Sequence, residues 1–166
     1  MNQLNGTSTV IVGLAIGLLA AADFGGPCSK AATAFTLALM AEGIYGPNGA
    51  FRMCCAIPPL GMALASLILK NKYDKADRQL GISALFLSSA GITEGAIPFA
   101  GKDFKHTWIA CAIGTSIAGA LAMLHNVSSV VAFGGIVAIS GVFKSPLWYI
   151  VDMLIGAGTV SYTHLR

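Results

Sequence analysis

The feature that most restricts this chain is the length and purity of its apolar blocks. "LAIGLLAAA" (residues 14–22) and "CAIGTSIAGALAML" (residues 111–124) carry no charge and show no polar–apolar alternation. Hydrocarbon offers the backbone no hydrogen-bond partner, so only helices and closed barrels cross it. Barrel strands need the two-residue alternation that is absent here. Only 10% of the residues are charged and the mean hydropathy is +0.75, whereas soluble domains carry about 25% charged residues. The sequence therefore predicts an all-α integral membrane protein: a multi-span helical bundle with broken helices and re-entrant hairpins.

A helix needs about 20 residues to cross the hydrocarbon layer. Residues 108–124 form one clean candidate, and residues 51–69 another, with Pro58 and Pro59 expected to kink or split it. Residues 9–22 run apolar until "DFGGP" stops them. Residues 31–45 are short and contain Glu42, and "YGPNG" (residues 45–49) reads as a turn. Residues 82–100 have spanning length but hold the break "GITEG". Residues 130–143 and 147–160 are shorter and glycine-rich, and residues 161–166 form a tail with no recognisable terminal element. The pairs Gly13–Gly17 and Ser116–Ala120 suit close helix packing.

Broken hydrophobic segments point to a transporter's binding site, because freed backbone groups survive at membrane depth only where protein or a polar cavity satisfies them. Two breaks, "DFGGPCSK" and "GITEGAIP", each carry an acidic residue. A charge at a helix centre costs about 2.5–3.5 kcal/mol on insertion scales, so each of these residues needs a reason to be there. Glu94, flanked by Thr93 and Gly95, is either a cap on a re-entrant turn or a carboxylate that accepts hydrogen bonds from sugar hydroxyls. Asp23 and Lys30 flank a Gly-Gly-Pro turn and either neutralise each other or face a ligand. Glu42 and Asp152 lie near segment ends and could reach water. His106 is expected at the interface, His125 at a turn and His164 in the tail. No cluster has metal spacing, and no cofactor is expected.

The basic residues Lys70, Lys72, Lys75 and Arg78 fall in one hydrophilic loop, "KNKYDKADRQL", cytoplasmic by the positive-inside rule. They do not form a nucleic-acid face. Cys28, Cys54, Cys55 and Cys111 are scattered through apolar segments, which suits buried, reduced, structural thiols. The sequons at Asn5 and Asn126 are read as chance.

Three stretches carry a family signature: "DFGGPCSKAATAF" (residues 23–35), "PPLGMALAS" (58–66) and "GITEGAIPFAGKD" (91–103). In that order they resemble the fructose-type membrane component, enzyme IIC, of the bacterial phosphoenolpyruvate-dependent sugar phosphotransferase system. The resemblance covers at least residues 20–142 and is to the C-terminal half of that domain, so residues 1–166 are expected to be a partial permease domain. It implies a multi-pass protein of the bacterial inner membrane, bathed in lipid, that moves fructose or a related hexose while the sugar is phosphorylated. The phosphoryl donor would be a phosphocysteine on a partner, enzyme IIB, not a cysteine of this chain. An N-terminal half and a second copy in a homodimer are the other implied partners. Glu94 would be the catalytic residue, holding the hydroxyl to be phosphorylated, with Asp23, Ser29, Lys30, Thr93 and Asp103 lining the sugar site. The chain departs from the family at Cys28–Ser29, where Val-Asn is usual, at Phe104 in place of a proline, and at Phe133 in place of a histidine. Two rival readings stay open: an ion-coupled secondary transporter using Asp23 and Glu94, and an inert truncated membrane fragment.

Overall fold

The computed structural model describes residues 6–68 and 73–164. The chain forms helices α1 (Gly6–Ala21), α2 (Pro27–Ala41), α3 (Gly46–Ile68), α4 (Lys75–Ser89), the short α5 (Ile97–Ala100), α6 (Phe104–Leu124) and α7 (Pro146–His164). A 3-10 turn over Thr93–Ala96 precedes α5, and another over Ile136–Gly141 follows α6. The only strands among the described residues are β1 (Ser128–Ser129) and β2 (Val142–Lys144), a short antiparallel pair. The all-α expectation therefore holds.

Helix α3 is the axis of the molecule. It is buried along most of its length and packs against α1, α4, α6 and α7. Phe51, Met53, Ile57 and Met62 on it, with Tyr149 and Val160 of α7, are fully enclosed. Helix α1 lies against α6 through small residues. A methyl group at Gly17 would fall 2.1 Å from the Thr115 carbonyl oxygen, and one at Gly13 would fall 2.5 Å from that of Gly119. The backbones touch because no side chain stands between them.

Three helices end alike. In α2 the Ile44 N–H reaches the Leu39 carbonyl at 2.9 Å and the Gly43 N–H that of Met40 at 3.0 Å. The same crossed pair closes α4, from Ile92 to Leu87 and Gly91 to Ser88, and α6, from Val127 to Ala122 and Asn126 to Met123. The residue after each cap is left-handed, at φ +80° for Gly43, +71° for Gly91 and +55° for Asn126, which is why glycine or asparagine occupies it. Asn126 thus has a structural role, while Asn5 lies outside the described residues.

Several sequence expectations change. The turn expected at 45–49 comes earlier, at Glu42–Gly43, and Gly46 to Gly49 are the first turn of α3. Pro58 and Pro59 do not split α3, which runs through both. Residues 130–143 are not one apolar helix: an irregular stretch with Gly134 and Gly135 leads into the 3-10 turn over Ile136–Gly141 and the start of β2. Helix α7 continues into the expected tail as far as His164, and residues 165–166 lie outside the description. Lys70 and Lys72 of the basic loop also lie outside it. Cys54, Cys55 and Cys111 are free and buried as expected, but Cys28 is exposed. Among the described residues two helices, Gly46–Ile68 and Phe104–Leu124, are long and apolar enough to cross a membrane.

Candidate functional site

Three interruptions of helix converge beside α3. The first is the turn between α1 and α2. Asp23 accepts hydrogen bonds from the backbone N–H of Cys28 and Ser29 and, at 2.7 Å, from the Ser29 hydroxyl. First-turn amides have no partner within their own helix, so this carboxylate caps α2 from three residues before Gly26. The turn is fastened to α6 by the Trp108 indole N–H, which donates to the Ala22 carbonyl at 2.9 Å, and by the edge-on contact of Phe24 with Phe104.

The second interruption is Gly91 to Ala96. Pro59 has no N–H to donate to the carbonyl four residues earlier, that of Cys55. The buried Thr93 hydroxyl donates to that carbonyl instead, at 3.2 Å. Gly95 sits so close to α3 that a methyl there would lie 2.9 Å from Pro59 Cβ. With Thr93 and Gly95 held on α3, the residue between them turns outward. Glu94 is exposed, and its carboxylate lies against Gly25 of the first turn, where an added methyl would meet Glu94 Cδ at 2.5 Å. Among the described residues no hydrogen bond or ion pair engages this carboxylate.

The third interruption is the loop at Gly134–Gly135. A methyl at Gly134 would lie 2.4 Å from the Arg52 carbonyl oxygen, and one at Gly91 would lie 2.4 Å from Gly134 Cα. The Tyr149 hydroxyl donates to the Gly135 carbonyl at 3.0 Å. Phe133, at the position where the family resemblance expects a histidine, is 46% exposed.

The structure thus brings the Asp23 turn and the Glu94 turn together and gives Asp23, Ser29 and Thr93 internal partners. Lys30 is exposed on α2 and forms no ion pair with Asp23 among the described residues. Asp103 caps α6, accepting from the backbone N–H of His106 at 3.2 Å and lying 2.7 Å from its Nδ1. That backbone N–H is the leading reason its carboxylate titrates below the usual range. Next to it, Lys102 pairs with Asp77 at the start of α4, and the hydrogen bond raises the lysine's pKa.

One polar feature had escaped the sequence reading and another was misplaced by it. Arg52 lies inside the otherwise apolar α3, and only 7% of it is exposed; a cation within a spanning-length block was the signal. Asp152 does not reach water. It is fully buried on α7, 2.9 and 3.0 Å from Nδ1 of His125, whose ring stacks on Trp148 at 3.8 Å. Its partner is far off in sequence, so no local pattern announces the pair.

These features define a helical protein whose polar groups gather where broken segments meet. Comparison with known proteins names the class. The chain is 37% identical over 157 residues to the "Fructose permease IIC component" of Bacillus amyloliquefaciens, covering 95% of this chain and 51% of that protein. It is 36% identical over 157 residues to the "PTS system fructose-specific EIIABC component" of Bacillus subtilis, covering 95% of this chain and 25% of that protein. Against the "Fructose-like permease IIC component 2" of Escherichia coli it is 35% identical over 150 residues, covering 90% and 42%. Over 90–95% of its length the chain is thus similar to fructose-type enzyme IIC components of the phosphotransferase system, and it spans about half the length, or less, of the curated relatives it matches. No family model matches it. No solved structure matches it either.

Proposed function

We propose that this chain is part of a sugar permease of the phosphotransferase system, moving fructose or a related hexose across the bacterial inner membrane while a IIB partner phosphorylates it. The observation that carries the reading is the unpartnered Glu94 carboxylate, seated on the Gly25 turn between two residues anchored to α3. A carboxylate held there without a protein partner is free to accept a sugar hydroxyl. Phosphoryl transfer depends mainly on positioning and charge stabilisation. Glu94 orients the hydroxyl and takes its proton as the sugar oxygen bonds to phosphorus and the phosphorus–sulfur bond of the partner's phosphocysteine breaks. Asp23, Ser29 and Thr93 act as positioning residues, keeping the two turns in register. Lys30 and Asp103 lie at the margins of the sugar path.

Membrane location is supported by the two apolar helices and by an outer surface rich in large apolar side chains, with Ile11, Phe86 and Leu147 each more than half exposed. Several relatives combine IIB and IIC designations in one protein name, which supports a IIB partner for this chain as well. The remainder of a longer permease and a second copy in a dimer complete the proposed assembly.

The test is sugar phosphorylation by membranes holding the full gene product. Phosphoenolpyruvate and the soluble phosphotransfer proteins should drive formation of a hexose phosphate, and collapsing the ion gradient should leave the rate unchanged. Uptake that follows the ion gradient and needs no phosphoenolpyruvate would instead assign the carboxylates to ion coupling.

A further inference from the structure

We propose that Arg52 is the phosphoryl-binding residue of this site, its terminal guanidinium nitrogens receiving the anionic oxygens of the phosphorylated sugar. The inference rests on the permease reading above and extends it to a residue that reading does not use.

Arginine stays protonated in proteins, so a full positive charge sits in the interior of α3. The Nε–H donates to Asn48 Oδ1 at 3.3 Å, and this is the guanidinium's only hydrogen bond among the described residues. Nη2 is wholly buried and has no partner among the described residues. No carboxylate pairs with Arg52 among the described residues. The ionisable groups within electrostatic reach are the Cys55 thiol and the Tyr149 phenol, and the Phe51 ring lies 5.6 Å from the guanidinium carbon. A buried cation without a counter-charge is costly, and an anion that visits the site would relieve that cost.

Position selects the anion. Asn48, Arg52, Cys55 and Pro59 follow one another at helical spacing along one face of α3. Asn48 holds the 129–131 loop through its side-chain amide, at 3.0 Å from the Ser129 carbonyl and 2.9 Å from that of Val131. Cys55 holds Thr93, and Pro59 supports Gly95. Arg52 therefore lies between two anchored loops, about 4.5 Å along the helix axis from the carbonyl that fixes the Glu94 turn. Cys55 is within electrostatic reach of both Arg52 and Glu94. A carboxylate that accepts a hydroxyl, carried on the turn that the Cys55 carbonyl fixes less than one helical turn along α3 from a guanidinium with unfilled donors, matches a sugar hydroxyl on its way to becoming a phosphate ester. Arginine's planar fork suits two phosphoryl oxygens at once.

The test uses membranes of the full gene product, labelled fructose, and fructose phosphate as competitor. Arg52→Gln should leave the fructose dissociation constant within about twofold while weakening competition by fructose phosphate by about tenfold or more, and Arg52→Lys should recover part of the loss. If the two constants move together and the melting temperature falls, Arg52 answers a carboxylate elsewhere in the assembly and the proposal is overturned. It is equally overturned if neither constant moves while Glu94→Gln still abolishes fructose binding, an outcome that leaves the permease reading intact. Wild-type membranes that bind neither ligand would sink both.

Discussion

The α1–α6 contact and the junction between the Asp23 and Glu94 turns are both built on glycine, yet the glycines serve different ends. At Gly13 and Gly17 a missing side chain lets two helix backbones meet, and nothing polar is exposed by the contact. At Gly25 a missing side chain leaves room for a carboxylate, and that carboxylate keeps its lone pairs free. The first arrangement is spent on packing alone. The second leaves an exposed carboxylate with unused hydrogen-bonding capacity, in a chain that has little of it to spare, and that is why the proposed sugar site is placed at this junction.

The contrast can be broken by substitution, and the largest effect should come from the bundle. Gly17→Val places a branched side chain against the Thr115 backbone, which cannot move aside as a side chain could. We expect a loss of about 3 kcal/mol or more, seen as failure to recover folded protein from detergent. At the junction, Gly25→Ala should separate the two kinds of glycine. It costs about 1 kcal/mol of stability because the residue sits at φ +96°, but sugar phosphorylation should fall by about tenfold as the methyl displaces Glu94. Equal loss of stability and activity in both variants would erase the distinction.

A smaller and sharper effect concerns Thr93. Thr93→Val should cost about 1 kcal/mol by leaving the Cys55 carbonyl without its donor. In a Pro59→Ala background the helix regains an N–H for that carbonyl, so the same Thr93 substitution should cost measurably less in thermal melting. Additive effects would show that the hydroxyl is not compensating for the proline.

Much of this junction was legible in the sequence, because its breaks are local: glycine and proline interrupt apolar runs at "DFGGP" and "GITEG", and the helices do stop there. The spacing of Gly13 and Gly17 suited close helix packing, but it did not single out α6 as the partner. The split that Pro58–Pro59 could have made does not occur, and a distant residue contributes: Thr93, far along the chain, supplies the donor that Pro59 lacks. Residues 130–143 misled because their apolar content suits a helical segment, whereas Gly134 and Gly135 press against Arg52, Ser88 and Ser89 backbone in an irregular loop. Asp152 looked like a residue near water and is instead enclosed with His125, a pairing that only the packing of α6 on α7 creates. Arg52 was passed over although it is a charge in an apolar block; what the sequence could not supply in any case is that it lacks a charged partner among the described residues.

The most direct test of the central claim is equilibrium binding of fructose, without any phosphoryl donor, to membranes holding wild type or Glu94→Gln at matched protein level. If Glu94 is the carboxylate that receives the sugar, the variant should bind at least about tenfold more weakly, the value of losing a charge-assisted hydrogen bond, with its melting temperature unchanged. Unaltered affinity in the variant would contradict the account.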